Sequence, residues 1–264
     1  MTGCGLPGGM KMDAMEQRRN TIVDLVNQSG NISFAQLKKK FPQISEMTLR
    51  TDLKALDEAK RIVRVHGGAK SVDVVVGTDD MLSRRLVRNI EAKQLIAKKA
   101  LELIRKDTAV FLDSGSTTTA LAACMRDQSN LIYTSSLTCA AELSRLKNPA
   151  VHVLGGTMNR YSMSVCGIHT IQEVRRINFD QVFMGVTGYC EQTGFTCGVD
   201  EEAALKRTVM NRAGQKIILM DSSKTGVKST YTICGLEDVD LIISDGSLSE
   251  EFLEECRNYK IPVI

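Results

Sequence analysis

The stretch that decides the fold runs from Ser45 to Ala69 and has the sequence SEMTLRTDLKALDEAKRIVRVHGGA. Ser45 is a favourable N-cap, because its hydroxyl can accept a hydrogen bond from an unpaired N–H group of a first helical turn. Leu49, Leu53 and Leu56 follow at i, i+4 and i+7, which is the spacing of one apolar face. The stretch therefore predicts a helix that starts after Ser45 and packs through its leucines.

The face of this helix opposite the leucines is polar. Successive helical residues are rotated by about 100°, so this face gathers cationic and hydroxyl side chains. Its members are Met47, Thr48, Arg50, Thr51 and Lys54. Taken alone, the pattern also fits an amphipathic helix that simply packs on the surface of its neighbours.

The segments on either side of this helix complete a DNA-binding motif. Residues 14–28 and 34–41 each carry apolar residues at helical spacing, and Pro42 ends the second pattern. After the helix, basic and β-branched residues alternate from Arg61 to Val65, and His66-Gly67-Gly68 supplies the positive-φ residues of a tight turn. Helix, short helix, turn, polar third helix and hairpin is the order of a winged helix-turn-helix.

The distribution of charge supports binding of this motif to double-stranded DNA. Residues 1–70 hold 12 Lys and Arg against 7 Asp and Glu, whereas residues 71–264 hold 22 against 24. A basic module of this kind can neutralise DNA phosphates, which supplies much of the affinity. The residues expected at the DNA are Ser45, Glu46, Met47, Thr48, Arg50, Thr51, Lys54, Arg61, Arg64 and His66.

Two motifs in this region resemble the N-terminal segment of the DeoR family of bacterial transcription regulators. The motifs are Ser45-x-x-Thr48-x-Arg50-x-Asp52-Leu53 and Arg64-Val65-His66-Gly67-Gly68-Ala69. Thr51 departs from the family pattern, because a second arginine usually stands at that position, and Lys60 stands where the family favours glycine. The resemblance implies a transcription regulator that reads DNA with this helix.

The remaining composition is that of an ordinary globular protein. The eight cysteines form no C-x-x-C pair and have no Cys/His ligand spacing, so they predict reduced core cysteines and no metal site. No apolar run approaches the roughly 20 residues of a membrane helix, and we expect a cytoplasmic protein without a membrane partner. Residues 1–12 are expected to be a disordered extension, with Met12 and Met15 as alternative translation starts.

After the hairpin the sequence changes to alternating short apolar strands and helices. Strands are predicted at 109–112, 131–134, 151–154, 181–185, 216–220 and 241–244, with a terminal strand ending at Ile264. This alternation indicates an α/β domain with a mainly parallel sheet. The predicted organisation is a disordered extension at 1–12, a winged helix-turn-helix domain at 13–70, a connecting segment at 71–92 and an α/β domain at 93–264.

The connecting segment is rich in charge and predicts a helix. Arg85, Asn89 and Lys93 are spaced four residues apart, so they are expected to share one helix face. Periodicity alone fits a solvated face, whereas the family resemblance supports a role in coupling the domains.

Polar loops follow several predicted strands, and parallel sheets bind ligands at the carboxyl ends of their strands. These loops are Asp113 to Thr118, Thr134 to Ser136, Gly155-Gly156 and Asp221 to Lys224. Hydroxyls, a lysine and the free N–H groups of a following helix together suit a small phosphorylated polyol. Helix N-capping explains any one such loop, but not four of them. The absence of a G-x-x-x-x-G-K-[ST] motif argues against a nucleoside triphosphatase.

The α/β region also resembles the DeoR-family sensor domain, which is similar in fold to ribose-5-phosphate isomerase. The matching motifs are Lys93-x-x-Ile96-Ala97, Asp113 to Thr117, Gly155-Gly156, Phe179-Asp180-x-x-Phe183-x-Gly185 and Asp221-x-Ser223-Lys224, and Lys206 matches a further family position. The resemblance implies a sugar-phosphate effector and self-association into a homo-oligomer. The residues predicted to bind the effector are Asp113, Ser114, Gly115, Ser116, Thr117, Thr118, Thr134, Ser135, Ser136, Gly155, Gly156, Lys206 and Lys224.

Three functions fit these observations to different degrees. The first is a repressor of a carbohydrate-utilisation operon that is controlled by a phosphorylated sugar and needs no cofactor. The second is an aldose–ketose isomerase, but residues 185–189 carry no carboxylate where the isomerases supply an acid/base group, so no catalytic residue is predicted. The third is a protein-interaction module, against which the basic charge of residues 1–70 counts.

Overall fold

The computed structural model describes residues 8–29, 31–59, 61–65, 67–70 and 81–264 of the chain. The chain divides into two compact units, Met1–Thr78 and Asp79–Ile264. The smaller unit is built around one apolar cluster that includes Ile22, Leu37 and Leu49. The larger unit contains two apolar clusters.

The smaller unit has the predicted helices and wing in the predicted order. Its elements are α1 (Gly8–Ser29), β1 (Asn31–Ser33), α2 (Phe34–Lys40), α3 (Glu46–Glu58), β2 (Val63–Val65) and β3 (Gly68–Lys70). Leu49, Leu53 and Leu56 of α3 are buried in the apolar cluster, as their spacing predicts. The strand β1 was not predicted, and it pairs with β3 to give a three-stranded antiparallel sheet in the order β1-β3-β2.

The wing is fixed by two glycines that have different roles. Gly67 has φ of 83°, which is the left-handed conformation expected of a tight turn. The His66-Gly67-Gly68 pattern predicts the same role for Gly68, but Gly68 lies in β3 and does not have a positive φ. A Cβ atom on Gly68 would lie 2.1 Å from the Ile32 carbonyl oxygen, so close approach of two strands explains this glycine.

The ends of the predicted domains differ from the structure. Helix α1 begins at Gly8, so residues 8–12 are helical rather than part of a disordered extension, whereas residues 1–7 lie outside the described residues. Methionine, lysine and alanine in residues 10–15 favour a helix, which accounts for the earlier start. Residues 71–80 of the predicted connecting segment also lie outside the described residues, and 82–92 belong to the larger unit.

The larger unit alternates helices and strands. Its described elements are α4 (Leu82–Val87), α5 (Ile90–Leu103), β4 (Ala109–Leu112), α6 (Ser116–Cys124), β5 (Leu131–Thr134), α7 (Leu137–Leu143), β6 (Ala150–Val153), β7 (Thr157–Asn159), β8 (Ser164–Cys166), α8 (Ile168–Val174), β9 (Gln181–Gly185), β10 (Gly188–Cys190), β11 (Gly194–Cys197), α9 (Asp200–Met210), β12 (Lys216–Leu219), β13 (Tyr231–Cys234), β14 (Leu241–Ile243) and α10 (Glu250–Asn258). Six of the strands form one parallel sheet in the order β14-β12-β9-β4-β5-β6, which confirms the predicted α/β class.

The strand order creates one crevice at the carboxyl ends of β4 and β9. From β4 the chain builds outward through β5 and β6, then returns to the other side of β4 with β9, β12 and β14. This is the doubly wound order in which helices diverge on either side of a switch point, and ligands bind there. The loops after β4 and β9 therefore flank the expected binding crevice.

Three features of the larger unit differ from the sequence-based expectation. The antiparallel sheet β10-β11-β13 and the β7–β8 hairpin were not predicted. The terminal strand is reduced to a single bridge between Ile242 and Val263. The helix that was to carry Arg85, Asn89 and Lys93 on one face is broken, because Asn89 has φ of 50° and caps the start of α5.

Candidate functional site

The recognition helix α3 is held by its N-cap and its buried leucines. The Ser45 hydroxyl accepts a hydrogen bond from the Thr48 N–H at 3.1 Å, and the two hydroxyl oxygens lie 2.8 Å apart. This arrangement satisfies one of the unpaired N–H groups of the first turn. Both side chains therefore help to start the helix, in addition to lying on its predicted DNA-facing end.

The outer face of α3 carries exposed side chains with weak internal contacts. Met47 is 75% exposed, and the Arg50 guanidinium lies over the Phe34 ring at 4.5 Å. Arg50 and Lys54 also approach Glu46 and Glu58 at 3.9 Å and 3.7 Å. Exposed pairs of this kind contribute only about 0.3–0.5 kcal/mol, so both cations can exchange their partners for DNA phosphates. Thr51 lies on the same face and donates to the Met47 carbonyl at 2.9 Å.

The cations of the wing have unequal surroundings. Arg64 is exposed, and its backbone N–H donates to Asp57 Oδ1 at 3.0 Å. The Arg61 guanidinium instead donates to Asn20 Oδ1 at 2.7 Å and pairs with Glu16 at 3.4 Å, both on α1. The Arg61 side chain therefore connects the start of the wing with α1. His66 lies outside the described residues.

The smaller unit contains a buried carboxylate, Asp52, whose contacts the sequence patterns do not predict. Asp52 is only 2% exposed, and its two oxygens accept from Arg18 Nε at 2.6 Å and Arg19 Nε at 2.9 Å. Both arginines belong to α1, so this carboxylate ties the recognition helix to the first helix. The adjacent arginines at 18 and 19 were the available signal in the sequence.

A cavity opens at the crevice between the carboxyl ends of β4 and β9. It encloses about 500 Å³ of space between the side chains, part of which is open to solvent. Of the predicted effector residues, the cavity brings together Ser114, Gly115, Ser116, Thr117, Lys206 and Lys224. Its lining also includes Arg85, Lys93, Gly185, Val186, Thr187, Cys197, Glu202, Leu219, Met220 and Asp221, which were not in the predicted set.

A buried ion pair forms the floor of this site. The Lys206 ammonium donates to Asp113 Oδ2 and to the Gly185 carbonyl oxygen at 3.0 Å, and the Gly185 N–H donates to the same Asp113 oxygen at 2.9 Å. Burial raises the pKa of Asp113 despite the attraction of Lys206. Burial by itself lowers the pKa of Lys206, but the Asp113 carboxylate outweighs it and the net pKa is raised. The pair connects the ends of β4 and β9 with α9.

A second group of polar side chains joins the cavity to the start of α5. Lys93 lines the cavity, and its ammonium donates to the carbonyl oxygens of Arg85 and Arg88 at the end of α4. Burial lowers the pKa of Lys93 to about 8. Asn89 Nδ2 lies 3.2 Å from both Asp221 Oδ1 and the Ser223 hydroxyl. Lys93 was noted in the sequence as part of a motif, but its place in the cavity was not predicted.

Several predicted effector residues do not line the cavity. The Thr118 and Thr134 hydroxyls are buried and donate to the carbonyls of Gly115 and Leu112 at 3.0 Å and 2.7 Å. The Ser136 hydroxyl caps α7 by accepting from the Cys139 N–H at 3.1 Å. These hydroxyls therefore serve the fold.

Ser135, Gly155 and Gly156, in the loops after β5 and β6, also do not line the cavity. Ser135 is buried with its hydroxyl unpaired among the described residues. Gly155 accepts from the Thr170 hydroxyl at 2.7 Å, and a Cβ atom on Gly156 would lie 2.2 Å from that hydroxyl. The strand order explains this outcome, because β5 and β6 lie on the far side of β4 from the crevice.

Other kinds of site are not found in the part of the chain that the structure describes. No group of three or more His, Cys, Asp or Glu side chains there is placed to hold a metal ion. Within the same residues, no helix combines the length and hydropathy that a bilayer crossing requires. Among the described residues, the seven cysteines from Cys124 onward form no disulfide.

Comparison with protein families identifies both units. The family described as "DeoR-like helix-turn-helix domain" matches residues 18–75, and the family described as "DeoR C terminal sensor domain" matches residues 88–246. The first match contains α3 and the wing. The second contains the parallel strands from β4 to β14 and every residue that lines the cavity except Arg85.

Full-length relatives and solved structures are also similar to this chain. The HTH-type transcriptional regulator GolR of Listeria innocua is 34% identical over 94% of this chain and 97% of its own length. The HTH-type transcriptional regulator GlpR of Haloferax volcanii is 32% identical over 94% and 96%. The lactose phosphotransferase system repressor of Streptococcus mutans is 29% identical over 87% and 92%. The ribose 5-phosphate isomerase A structure from Methanocaldococcus jannaschii covers 50% of this chain and 53% of its own, with 18% identity and a TM-score of 0.37.

The two family matches cover most of the chain, and the regulators GolR and GlpR align with it over nearly their whole lengths. The arrangement of a helix-turn-helix unit followed by a sensor unit is common to both matches. The protein belongs to the DeoR family of transcriptional regulators.

Proposed function

We propose that this protein represses a carbohydrate-utilisation operon and leaves its operator when a phosphorylated sugar occupies the cavity of the larger unit. The lining of the cavity at the switch point is the observation that supports a phosphorylated sugar as the effector. Ser114 to Thr117 lead into α6, and Arg85, Lys93 and Lys224 add positive charge. A helix start and cations favour an anion, and the hydroxyls add hydrogen-bond partners for a polyol.

The relatives support the regulatory part of the proposal. The Streptococcus mutans relative is named a repressor of a lactose phosphotransferase system, and other relatives are named for the aga operon and as the repressor GlcR. A repressor of sugar metabolism that senses a sugar phosphate would respond to the product of uptake. The same cavity chemistry accounts for that choice of ligand.

DNA binding is proposed to use the outer face of α3 in a homo-oligomer. Arg50 and Lys54 have exchangeable partners and Met47 is exposed, so these side chains are available to base edges and phosphates. Two copies related by a two-fold axis would place their α3 helices in successive major grooves, about 10 base pairs apart. Effector binding needs to favour the non-binding arrangement by only about 1–3 kcal/mol.

The proposal is tested by fluorescence anisotropy with the DNA upstream of the operon that encodes the protein. We expect tight binding that weakens steeply with salt, because Arg and Lys contacts to phosphates release counterions. Addition of one sugar phosphate is expected to reverse the binding, whereas its free sugar leaves it unchanged. Binding that no sugar phosphate reverses would contradict the effector assignment, and the absence of salt-sensitive binding would contradict the DNA contact.

Replacement of Lys224 by alanine is expected to separate the two activities. DNA affinity should stay within about 2-fold, while the concentration of sugar phosphate needed for release should rise about 10- to 100-fold, the value of a charge-assisted hydrogen bond. Lys228→Ala is the matched control, because Lys228 is exposed in the same loop and does not line the cavity. Normal release by the Lys224→Ala protein would remove this residue from the site.

A further inference from the structure

Glu202 is a buried carboxylate that lines the cavity and accepts its described hydrogen bonds through one oxygen, Oε1. Its side chain is 4% exposed, and Oε1 accepts from the Ser164 hydroxyl at 2.8 Å, from Asn159 Nδ2 at 3.2 Å and from the Ser162 hydroxyl. Among the described residues, no hydrogen bond is made to Oε2, and Glu202 lines the cavity. The three donors come from the β7–β8 hairpin and its turn and do not line the cavity, so they hold the carboxylate without occupying the ligand space.

The donors to Glu202 are neutral, which leaves its negative charge in the site. An ionised carboxylate is an acceptor only, so Oε2 is complementary to hydroxyl or N–H donors and repels a second anion. A buried carboxylate without a direct ion pair is expensive to keep unless hydrogen bonds satisfy it. Its retention in a cavity that is also lined by Arg85, Lys93 and Lys224 therefore indicates a role toward the ligand.

The charged residues of the cavity form two groups, one around the start of α5 and one on α9 and β4. The pKa of Lys93 is affected most by burial, then by Asp221, Lys224 and Arg85, and these four side chains make one group of net positive charge around the start of α5. Lys206 is influenced by Glu202 and Asp113, which makes a second, acidic group on α9 and β4. A ligand with one anionic end and several hydroxyls matches these two groups together. A ligand with an anion at each end does not.

We propose that Glu202 determines the specificity of the cavity, accepting hydrogen bonds from the hydroxyls of a sugar monophosphate and rejecting a sugar bisphosphate. This inference rests on the proposed sugar-phosphate effector and narrows its class. Glu202 is the residue that touches the ligand, and Ser162 and Ser164 are positioning residues that hold its carboxylate.

The test is calorimetric titration of the full-length protein with matched pairs of ligands. Glucose 6-phosphate, fructose 6-phosphate, tagatose 6-phosphate and ribose 5-phosphate are each compared with the bisphosphate of the same sugar. The wild-type protein is expected to bind the monophosphate of its preferred sugar at least about 10-fold more tightly than the bisphosphate. Glu202→Gln should weaken the monophosphate and strengthen the bisphosphate, because the amide keeps the shape but removes the charge.

Opposite changes for the two ligands separate recognition from structural damage, since a distorted site would weaken both. Glu201→Gln is the matched control, because Glu201 is the exposed neighbour on α9 and does not line the cavity. Ser162→Ala should weaken the monophosphate severalfold without altering charge. Equal effects of Glu202→Gln on both ligands, or none, would overturn this inference alone. Failure of every sugar phosphate to bind would overturn the proposed effector and this inference with it.

Discussion

Replacement of Lys206 by methionine is expected to lower the free energy of unfolding of the larger unit by about 3–5 kcal/mol. Lys206 and Asp113 are both buried, and their side chains form a direct ion pair. Methionine preserves most of the volume of the lysine chain but leaves the Asp113 carboxylate in a buried place without its cation. The loss is largely the penalty of that uncompensated charge, not the net value of the pair.

The loss of stability in the Lys206→Met protein is expected to depend on pH. Burial raises the pKa of Asp113, and removal of Lys206 removes the group that opposes this rise. A carboxyl group with a raised folded-state pKa destabilises the fold as pH increases through that pKa. The defect of Lys206→Met should therefore be large near neutral pH and shrink as the pH is lowered and Asp113 becomes protonated.

Tyrosine fluorescence during urea unfolding measures this effect in the full-length protein. All five tyrosines lie in the larger unit and the chain has no tryptophan, so the signal reports on that unit alone. Lys98→Met is the matched control, because Lys98 is exposed on α5 and should change stability by less than about 0.5 kcal/mol. Adding Asp113→Asn to Lys206→Met should restore part of the stability. An unchanged unfolding midpoint in the single variant would show that the pair is dispensable.

Replacement of Asp52 by asparagine is expected to destabilise the DNA-binding unit by about 2–3 kcal/mol, near the value of charge-assisted hydrogen bonds. The amide loses one acceptor and the negative charge that Arg18 and Arg19 share. Both arginine side chains remain partly exposed, at 17% and 20%, so water replaces some of the lost interaction. In a unit of 78 residues, which has a total stability of roughly 4–12 kcal/mol, this loss is large.

Hydrogen exchange locates the effect. Amides of α3 in Asp52→Asn should exchange about 30- to 160-fold faster, while amides of β4 and β9 keep the rates of the unaltered protein. DNA affinity should fall as well, although Asp52 faces α1 and not the DNA. Glu58→Gln is the control, because Glu58 is on the same helix and its exposed pairing with Lys54 contributes little. Equal exchange rates in both variants would mean that the buried carboxylate does not hold the recognition helix.

Local sequence patterns predict most of the elements but not the order in which the strands lie. The strands Ala109–Leu112, Leu131–Thr134 and Gln181–Gly185 were predicted with their observed bounds, because parallel strands buried on both faces are short continuous apolar runs. The break at Asn89 was missed, since a single left-handed residue leaves the periodicity of the flanking helices intact. Strand β13 was not predicted because its pairing is not local, as Thr196 pairs with Thr232. The local β10–β11 hairpin was not predicted because its strands are only three and four residues long and contain glycine.

The candidate site was predicted in part for the same reason. Ser114 to Thr117 and Lys224 follow strands on the two sides of the crevice, so the general rule about strand ends located them. Thr134, Ser135 and Ser136 obey the same rule but follow a strand on the other side of β4, and composition cannot tell which side a strand takes. Glu202 was passed over because its contacts with Ser162 and Ser164 span about 40 positions of sequence.

The inward-facing and exposed residues of α3 have different roles, and this difference bears on how genes of this family diverge. Its leucines and Asp52 face inward, whereas Met47 and Lys54 are exposed and pack against nothing in the core. If DNA is bound as proposed, substitutions on that outer face retarget the protein to another promoter without refolding the unit. On the proposed function, one copy of a duplicated gene can therefore acquire a new set of controlled genes while it keeps the effector cavity of its ancestor.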